Sequence, residues 1–345
     1  LFKSFNPRSK VISTEQEEYS AFINANVEFT CEILKNPELA DDQETSENKL
    51  RDKGEILSIL LLDRTTKKNI IWATDSYVER GKVFYPNRQM TQELVTGIYG
   101  KLIQPRAAKS LVEQRFRTKE KAEVFTPLKT VDQMNKMIDW AGEIKVPDID
   151  NWQDYVKELK LEISCGEAPF IVSRYNPTAH TGKVIELKNR VGFLDRKLRA
   201  VSRYCKNQKE WIYWAKEACK ASYGYEWQGD NILIARENLL YSMIDYYKDK
   251  FGRNPSLDVQ QEFAEIISWN IFQMDGLKYV VPMSCHHETR VIPGELTLFG
   301  ETPDTVESYE CEGCKFNRPT KHNGKYVKVM DWALGETKRF VDILS

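Results

Sequence analysis

The chain reads as an α/β protein built on a parallel sheet, and two observations predict it. From residue 126 onward, segments of helical spacing alternate with short apolar, β-rich runs. Their order is helix, strand, helix, strand, helix, helix, strand. The 345 residues, 41% apolar and 29% charged, have the composition of an ordinary soluble protein and room for two or three domains. Lys+Arg 50 against Asp+Glu 51 gives a net charge of −1, so any nucleic-acid partner has to be met by a local basic patch. No long uncharged apolar run is present, which predicts no membrane span.

Residues 1–110 read as an N-terminal α+β region of unassigned role. The first 50 residues are polar and acid-rich, with the apolar islands "YSAFI" and "CEIL" and a turn-prone end, "NPELADDQETSEN". In "GEILSILLLDRTTKKNIIWATDSY" two β-rich runs flank "DRTTKK", the pattern of a hairpin with a polar connection. Residues 104–121 follow as a basic connector holding Arg106, Lys109, Arg115, Arg117, Lys119 and Lys121. A solvated helix face is the preferred reading of that run, ahead of a phosphate-binding one.

Residues 111–281 carry the alternation. In "EVFTPLKTVDQMNKMIDW", Thr126 is a good N-cap and Pro127 suits the first helical position. Val131, Met134, Met137 and Ile138 then recur at helical spacing. "LEISCGEAPF" (161–170) is a strand running into a turn. Residues 176–204 form an irregular excursion with a second basic concentration, Arg190, Arg196, Lys197, Arg199 and Arg203. "EWIYWAKEACKA" reads as a helix and "YGYEW" as a strand. "DNILIARENLLYSMIDYYKDKFG" is a long helix stopped at Gly252, and a further helix, "DVQQEFAEIISWN", leads into the strand end "IFQMDG".

In open parallel sheets the ligand lies beyond the carboxyl ends of the strands. That places the chemistry at Glu162 and Cys165–Phe170, at Glu226, and at Asp275. Gly166 lets backbone approach a ligand, Glu226 is positioned to accept from a ribose, and Asp275 can accept from an adenine amine. Against this stands the plain reading that each acid merely caps the next helix. One loop and two acids in this order fit a nucleoside-bearing cofactor better.

These residues resemble the N6-adenine DNA methyltransferases of bacterial restriction–modification systems. Their cofactor loop has the form Asp/Glu-Pro-Ala-Cys-Gly-x-Gly-x-Phe, and the segment from Glu162 through Cys165, Gly166, Glu167 and Ala168 to Phe170 looks like it. "AEVFTP", ending in Phe125, Thr126 and Pro127, resembles the upstream element that supports the methionine end. "GYEWQGDNILIARENL" and "IFQMDGL" resemble the second and third elements, with Glu226 on the ribose and Asp275 on the adenine amine. The resemblance covers about 120–280. It implies a partial Rossmann-like core that binds S-adenosylmethionine, with double-stranded DNA as partner. Two departures stand out. Ala168 replaces a loop glycine, and no Asn-Pro-Pro-aromatic catalytic loop occurs in the chain. The expectation is therefore the cofactor half of a split or fused restriction–modification enzyme, inactive alone. The alternative is a non-catalytic DNA-binding or restriction subunit on the same fold.

Residues 282–345 read as a small metal-binding insertion followed by a hairpin, "KVMDWALGETKRFVDILS". Cys311 and Cys314 have knuckle spacing, with Cys285 upstream and His322 downstream. Together they make a Cys3His set suited to structural Zn²⁺, with His286 or His287 as possible substitutes and free loop thiols as the plain alternative. The seven cysteines are an odd number in a chain without a secretory signal pattern, which argues against disulfides and for the cytoplasm.

Overall fold

Leucine and isoleucine spaced at three and four residues favour a helix even where the run is short enough to suit a strand. That competition is settled for "GEILSILL", where α1 (Gly54–Leu61) buries Ile56, Leu57, Leu60 and Leu61. The expected hairpin thus begins later and is shorter. β1 (Leu62–Asp63) pairs antiparallel with β2 (Lys68–Asn69), and the Asp63 carboxylate accepts from the N–H groups of Thr65 and Thr66. This computed structural model describes residues 50–121, 126–141, 148–179, 182–294, 296–297, 300–301 and 303–343. Phe125 and Cys31 lie outside those residues.

The central region has the three expected strands in order but two helices more than expected, at Trp152–Lys157 and at Phe193–Tyr204, the latter within the stretch read as an irregular excursion. It comprises α2 (Leu111–Lys121), α3 (Leu128–Ala141), α4 (Trp152–Lys157), β3 (Lys160–Glu162), α5 (Phe193–Tyr204), α6 (Gln208–Lys220), β4 (Ser222–Glu226), α7 (Gly229–Phe251), α8 (Leu257–Asn270) and β5 (Ile271–Gln273). The three strands make a parallel sheet in the order β3-β4-β5, with Glu162 opposite Gly224 and Glu226 opposite Gln273. All three carboxyl ends therefore point the same way. The protein is mixed α/β, with this one parallel sheet and four two-stranded antiparallel ones among the described residues.

Successive strand residues face opposite sides of a sheet. Ile271 joins the larger core, which the helices supply with Leu198, Trp211, Leu239, Met243 and Phe263. Tyr225, Phe272 and Met274 enter a second cluster with Val281, Val327, Val329 and Phe340. The 23-residue α7 is buried along most of its length and ends at Gly252, whose φ of 70° supplies the left-handed cap read from the sequence.

Residues 50–110 are fastened to this core. Arg51 forms a buried two-pronged pair with Glu237, and Gln273 bonds both N–H and C=O of Ile71. After β5 in sequence, β6 (Glu288–Ile292) pairs with β9 (Thr305–Tyr309), and the short pair β7 (Leu296–Thr297) and β8 (Gly300–Glu301) lies between them in sequence. α9 (Glu312–Phe316) follows. The expected C-terminal hairpin is β10 (Lys328–Asp331) with β11 (Glu336–Arg339). It docks through the Tyr223 hydroxyl, which donates to the Met330 carbonyl at 3.0 Å. No helix among the described residues is long and apolar enough to cross a membrane.

Candidate ligand cleft and metal centre

The carboxyl ends of β3 and β4 open into a cavity of about 570 Å³. Thr126, Glu162, Cys165, Gly166, Phe170 and Glu226 line it, so six of the residues singled out from the sequence meet in one place. Glu162 accepts from the N–H groups of Phe170 and Ile171 at 3.3 and 3.1 Å. Glu226 accepts from Gly166 N–H at 3.0 Å and from Gln228 N–H at 3.1 Å, bridging the two strand-end loops. Both acids thus hold strand-end turns and do not cap the next helix. Each oxygen still has a lone pair to offer. Burial drives both carboxyls above their usual range, while the backbone donors pull the other way.

The loop between them is wound tightly. Ser164, Gly166 and Ala168 have φ of 48°, 53° and 63°, a left-handed conformation that only glycine adopts freely. Ala168 therefore takes on the geometry of the glycine it replaces, with its methyl fully buried. Such backbone outliers concentrate where a loop is shaped for a ligand.

Three predicted residues lie elsewhere. Glu167 is buried and accepts from Arg106 N–H at 2.7 Å. Pro127 opens α3, its carbonyl accepting from Thr130 and Val131, and does not line the cavity. Asp275 caps its own turn by accepting from Leu277 and Lys278 N–H at 3.0 and 3.2 Å. Lys278 sits between it and Cys314, and both hold the lysine ammonium above its usual pKa against burial. Asp275 thus faces the metal-ligand cluster, not the cleft.

Sequence reasoning missed other lining residues, among them Asn135, Gln228 and Phe193. On α3 the buried stripe is Val131, Asn135 and Asp139, while Met134, Met137 and Ile138 are exposed. A polar residue at each of two successive four-residue steps from Val131 was the available signal. The Asp139 carboxylate accepts from Lys160 and Arg196.

The basic concentrations are divided between interior and surface, with Lys109, Arg117, Arg190 and Lys197 buried and Arg115, Lys119 and Arg203 exposed. Arg117 is buried and pairs with Asp230 at 2.6 Å, which corrects the reading of a solvated face at that position. Arg190 and Arg174 share Asp245, and Lys197 is spent on two carbonyls, with burial lowering its pKa to about 7. Beside a trough along α5, Arg203 is exposed, while Arg199 is half-buried and donates to the Arg190 carbonyl and the Tyr246 hydroxyl.

Cys285, Cys311, Cys314 and His322 form a group that could hold a metal ion, with all four ligand atoms within 4.8 Å of one another. The three sulfurs lie 3.6, 3.7 and 3.6 Å from His322 Nδ1. Burial and the neighbouring Cys314 and Cys311 thiols push Cys285 up to about 12, so a shared cation is what would let the thiols ionise together. Backbone closes around the cluster. A Cβ at Gly313 would sit 2.6 Å from the His322 ring, and one at Gly324 would sit 2.9 Å from Cys285 Sγ. Asn323 N–H donates to Cys311 Sγ at 3.3 Å.

Comparison of the chain with protein-family profiles, curated proteins and solved structures finds no match.

Proposed function

We propose that the cleft binds S-adenosylmethionine, and that the chain is the cofactor-holding part of an adenine-N6 DNA methyltransferase carrying a structural zinc. The observation behind this is the chemistry of the lining. Glu162, Glu226 and the amides of Asn135, Gln228 and Asn231 line the cleft, and no Lys or Arg is among its described lining residues. A phosphate-bearing cofactor calls for cations or free loop N–H groups. Here the Gly166 N–H is already taken by Glu226. A ligand with a positive charge and several donors suits such a site.

S-adenosylmethionine supplies an electrophilic methyl group on a positively charged sulfur. Glu226 has lone pairs free to accept from ribose hydroxyls at the end of β4, and Glu162 stiffens the far side of the loop. Phe170 and Phe193 offer apolar wall. Holding a reacting atom in place is the contribution such a site makes to transfer. The base-binding loop has no counterpart in this sequence, so the chain alone binds the cofactor and does not methylate DNA. The exposed Arg115, Lys119 and Arg203 are the cations offered to DNA phosphates. The exposed β6–β9 ribbon, with Glu288 and Glu307 against Arg290, is a poor surface for them.

For the metal, Zn–S of about 2.3 Å and Zn–N of about 2.0–2.1 Å place tetrahedral sulfur and nitrogen about 3.6 Å apart. The sulfur–nitrogen distances fit that spacing. Four protein ligands leave no open position, so the zinc is structural.

A second reading, a non-catalytic DNA-binding or restriction subunit, draws on the fact that both carboxylates are already engaged by loop backbone. Titration calorimetry of the zinc-loaded chain separates the two. The proposal expects S-adenosylmethionine to bind and ATP and NAD not to. Binding of either nucleotide in preference, or of none of the three, would sink it.

A further inference from the structure

The cleft contains a buried acceptor that no donor among the described residues meets. Asn135 is fully buried on α3, and its Nδ2 donates to the carbonyls of Phe170 and Val191, both at 3.0 Å. Two acceptors fix the amide's orientation, because the nitrogen must face them. Oδ1 is therefore the remaining atom, and it has no hydrogen-bond partner among the described residues. Leaving a buried acceptor unpaired is costly, and the great majority of such atoms are paired in folded proteins. Asn135 lines the cavity, so a ligand donor is the natural partner.

Its position says which donor. Glu226 meets the loop at Gly166, and Asn135 meets it at Phe170, the opposite end of the same turn. A second unpartnered amide oxygen, Gln228 Oε1, lies at the Glu226 end. An elongated ligand with its ribose hydroxyls at Glu226 then extends its other end toward Asn135. We infer that Asn135 is a ligand-binding residue, and that its Oδ1 accepts a hydrogen bond from the α-amino group of a nucleoside-linked amino acid bound across the loop. This rests on the cofactor reading above and adds the ligand's direction.

The test uses two ligands on the zinc-loaded full chain. S-adenosylmethionine has the amino-acid arm, and 5′-methylthioadenosine lacks it. Asn135→Ala is expected to weaken S-adenosylmethionine about tenfold, one charged hydrogen bond's worth, and to leave 5′-methylthioadenosine within twofold. Equal loss of both ligands means that Asn135 only shapes the loop, and overturns the inference, as does undiminished binding of S-adenosylmethionine by a folded variant. If Asn135→Ala fails to fold, the wild-type chain decides. Its affinity for the des-amino analogue of S-adenosylmethionine should fall by the same factor, and equal affinity overturns the inference. Should wild type bind neither nucleoside, the cofactor reading itself falls, a result distinguishable from any in which wild type binds and the variant does not discriminate.

Discussion

The cleft and the metal module solve the same problem, holding a loop in place, by opposite means. The loop at 163–170 stands on a large apolar core, with Ile171, Val172 and Leu194 fully or almost fully buried beside it. The module has little of that kind. Every residue of β6 and β9 is exposed, and the buried side chains near its ligands are chiefly the ligands themselves, Cys311 and His322. A small unit without a core needs a staple. The difference teaches where each site gets its shape. On the proposed reading, the cleft would be built before its ligand arrives, and the module would be built by its metal.

The largest effect should come from testing that contrast directly. Structural zinc contributes about 10–16 kcal/mol to modules of this type. Metal analysis should find about one equivalent. Chelation, or Cys314→Ser, should abolish amide protection across 282–326 while α7 and α8 stay protected in hydrogen exchange. Loss of protection throughout the chain would mean that the module and the core fold as one unit, and full retention would mean that no staple is needed.

The next effect concerns the core side. Arg117 and Asp230 are both buried, and the Tyr77 hydroxyl completes the group by donating to Asp230 at 2.7 Å. Removing one partner of such a pair costs about 3–5 kcal/mol. Arg117→Ala should lower the unfolding free energy, measured by denaturant titration, by that amount without releasing metal. A small change would show that the pair is replaceable by water, and that the N-terminal region is held less firmly than its contacts suggest.

Much of the core side was legible in the sequence. Helix and strand alternation from 126 to 275 depends on periodicity and on caps such as Gly252, which are local signals, and the parallel order followed from them. Less legible were the facts set by partners far away in sequence. Arg117 and Arg190 look like surface cations until Asp230 and Asp245 are brought beside them. Asn135 looks like an ordinary helix residue until the Phe170 and Val191 carbonyls claim its amide. Asp275 sat at the right strand end, but its carboxylate is held by the N–H groups of its own turn, Leu277 and Lys278, and Lys278 lies toward Cys314. Strand position carries no information about that. The Cys3His set was readable because its chemistry requires those residue types, wherever the chain places them.

The boundary between the two regions gives a third test. Glu226→Ala should weaken S-adenosylmethionine about tenfold, or about 1.4 kcal/mol. Asp275→Ala should leave that affinity within twofold and lower metal retention instead. Equal loss of ligand affinity in both would place Asp275 back in the cleft. The pH dependence has a definite sign. Burial raises the folded-state pKa of Glu162 and Glu226, so the native protein keeps protons there that the unfolded chain has released. Ligand-free stability from these groups falls as pH rises from the usual carboxyl range toward the raised values. A cationic ligand favours the ionised form, so its affinity should rise over the same window. Binding should release protons, seen as a buffer-dependent enthalpy in calorimetry. A flat profile would mean that neither acid senses the ligand's charge.

The smallest effect is the most local, and it asks whether the strained loop is a defect. Ala168 has φ of 63° and no exposed surface. Glycine there would relieve about 1–2 kcal/mol of left-handed strain. It would also lose a buried methyl worth about 0.8 kcal/mol and gain about 0.5–1 kcal/mol of unfolded-state entropy cost. The terms nearly cancel, so Ala168→Gly should change stability by less than about 1 kcal/mol and leave ligand affinity unaltered. A large stabilisation would show that the alanine is tolerated only at a cost. A large loss would show that the buried methyl sets the loop's height above the core. Near-neutrality would explain how an alanine can stand where a turn of this shape otherwise asks for glycine.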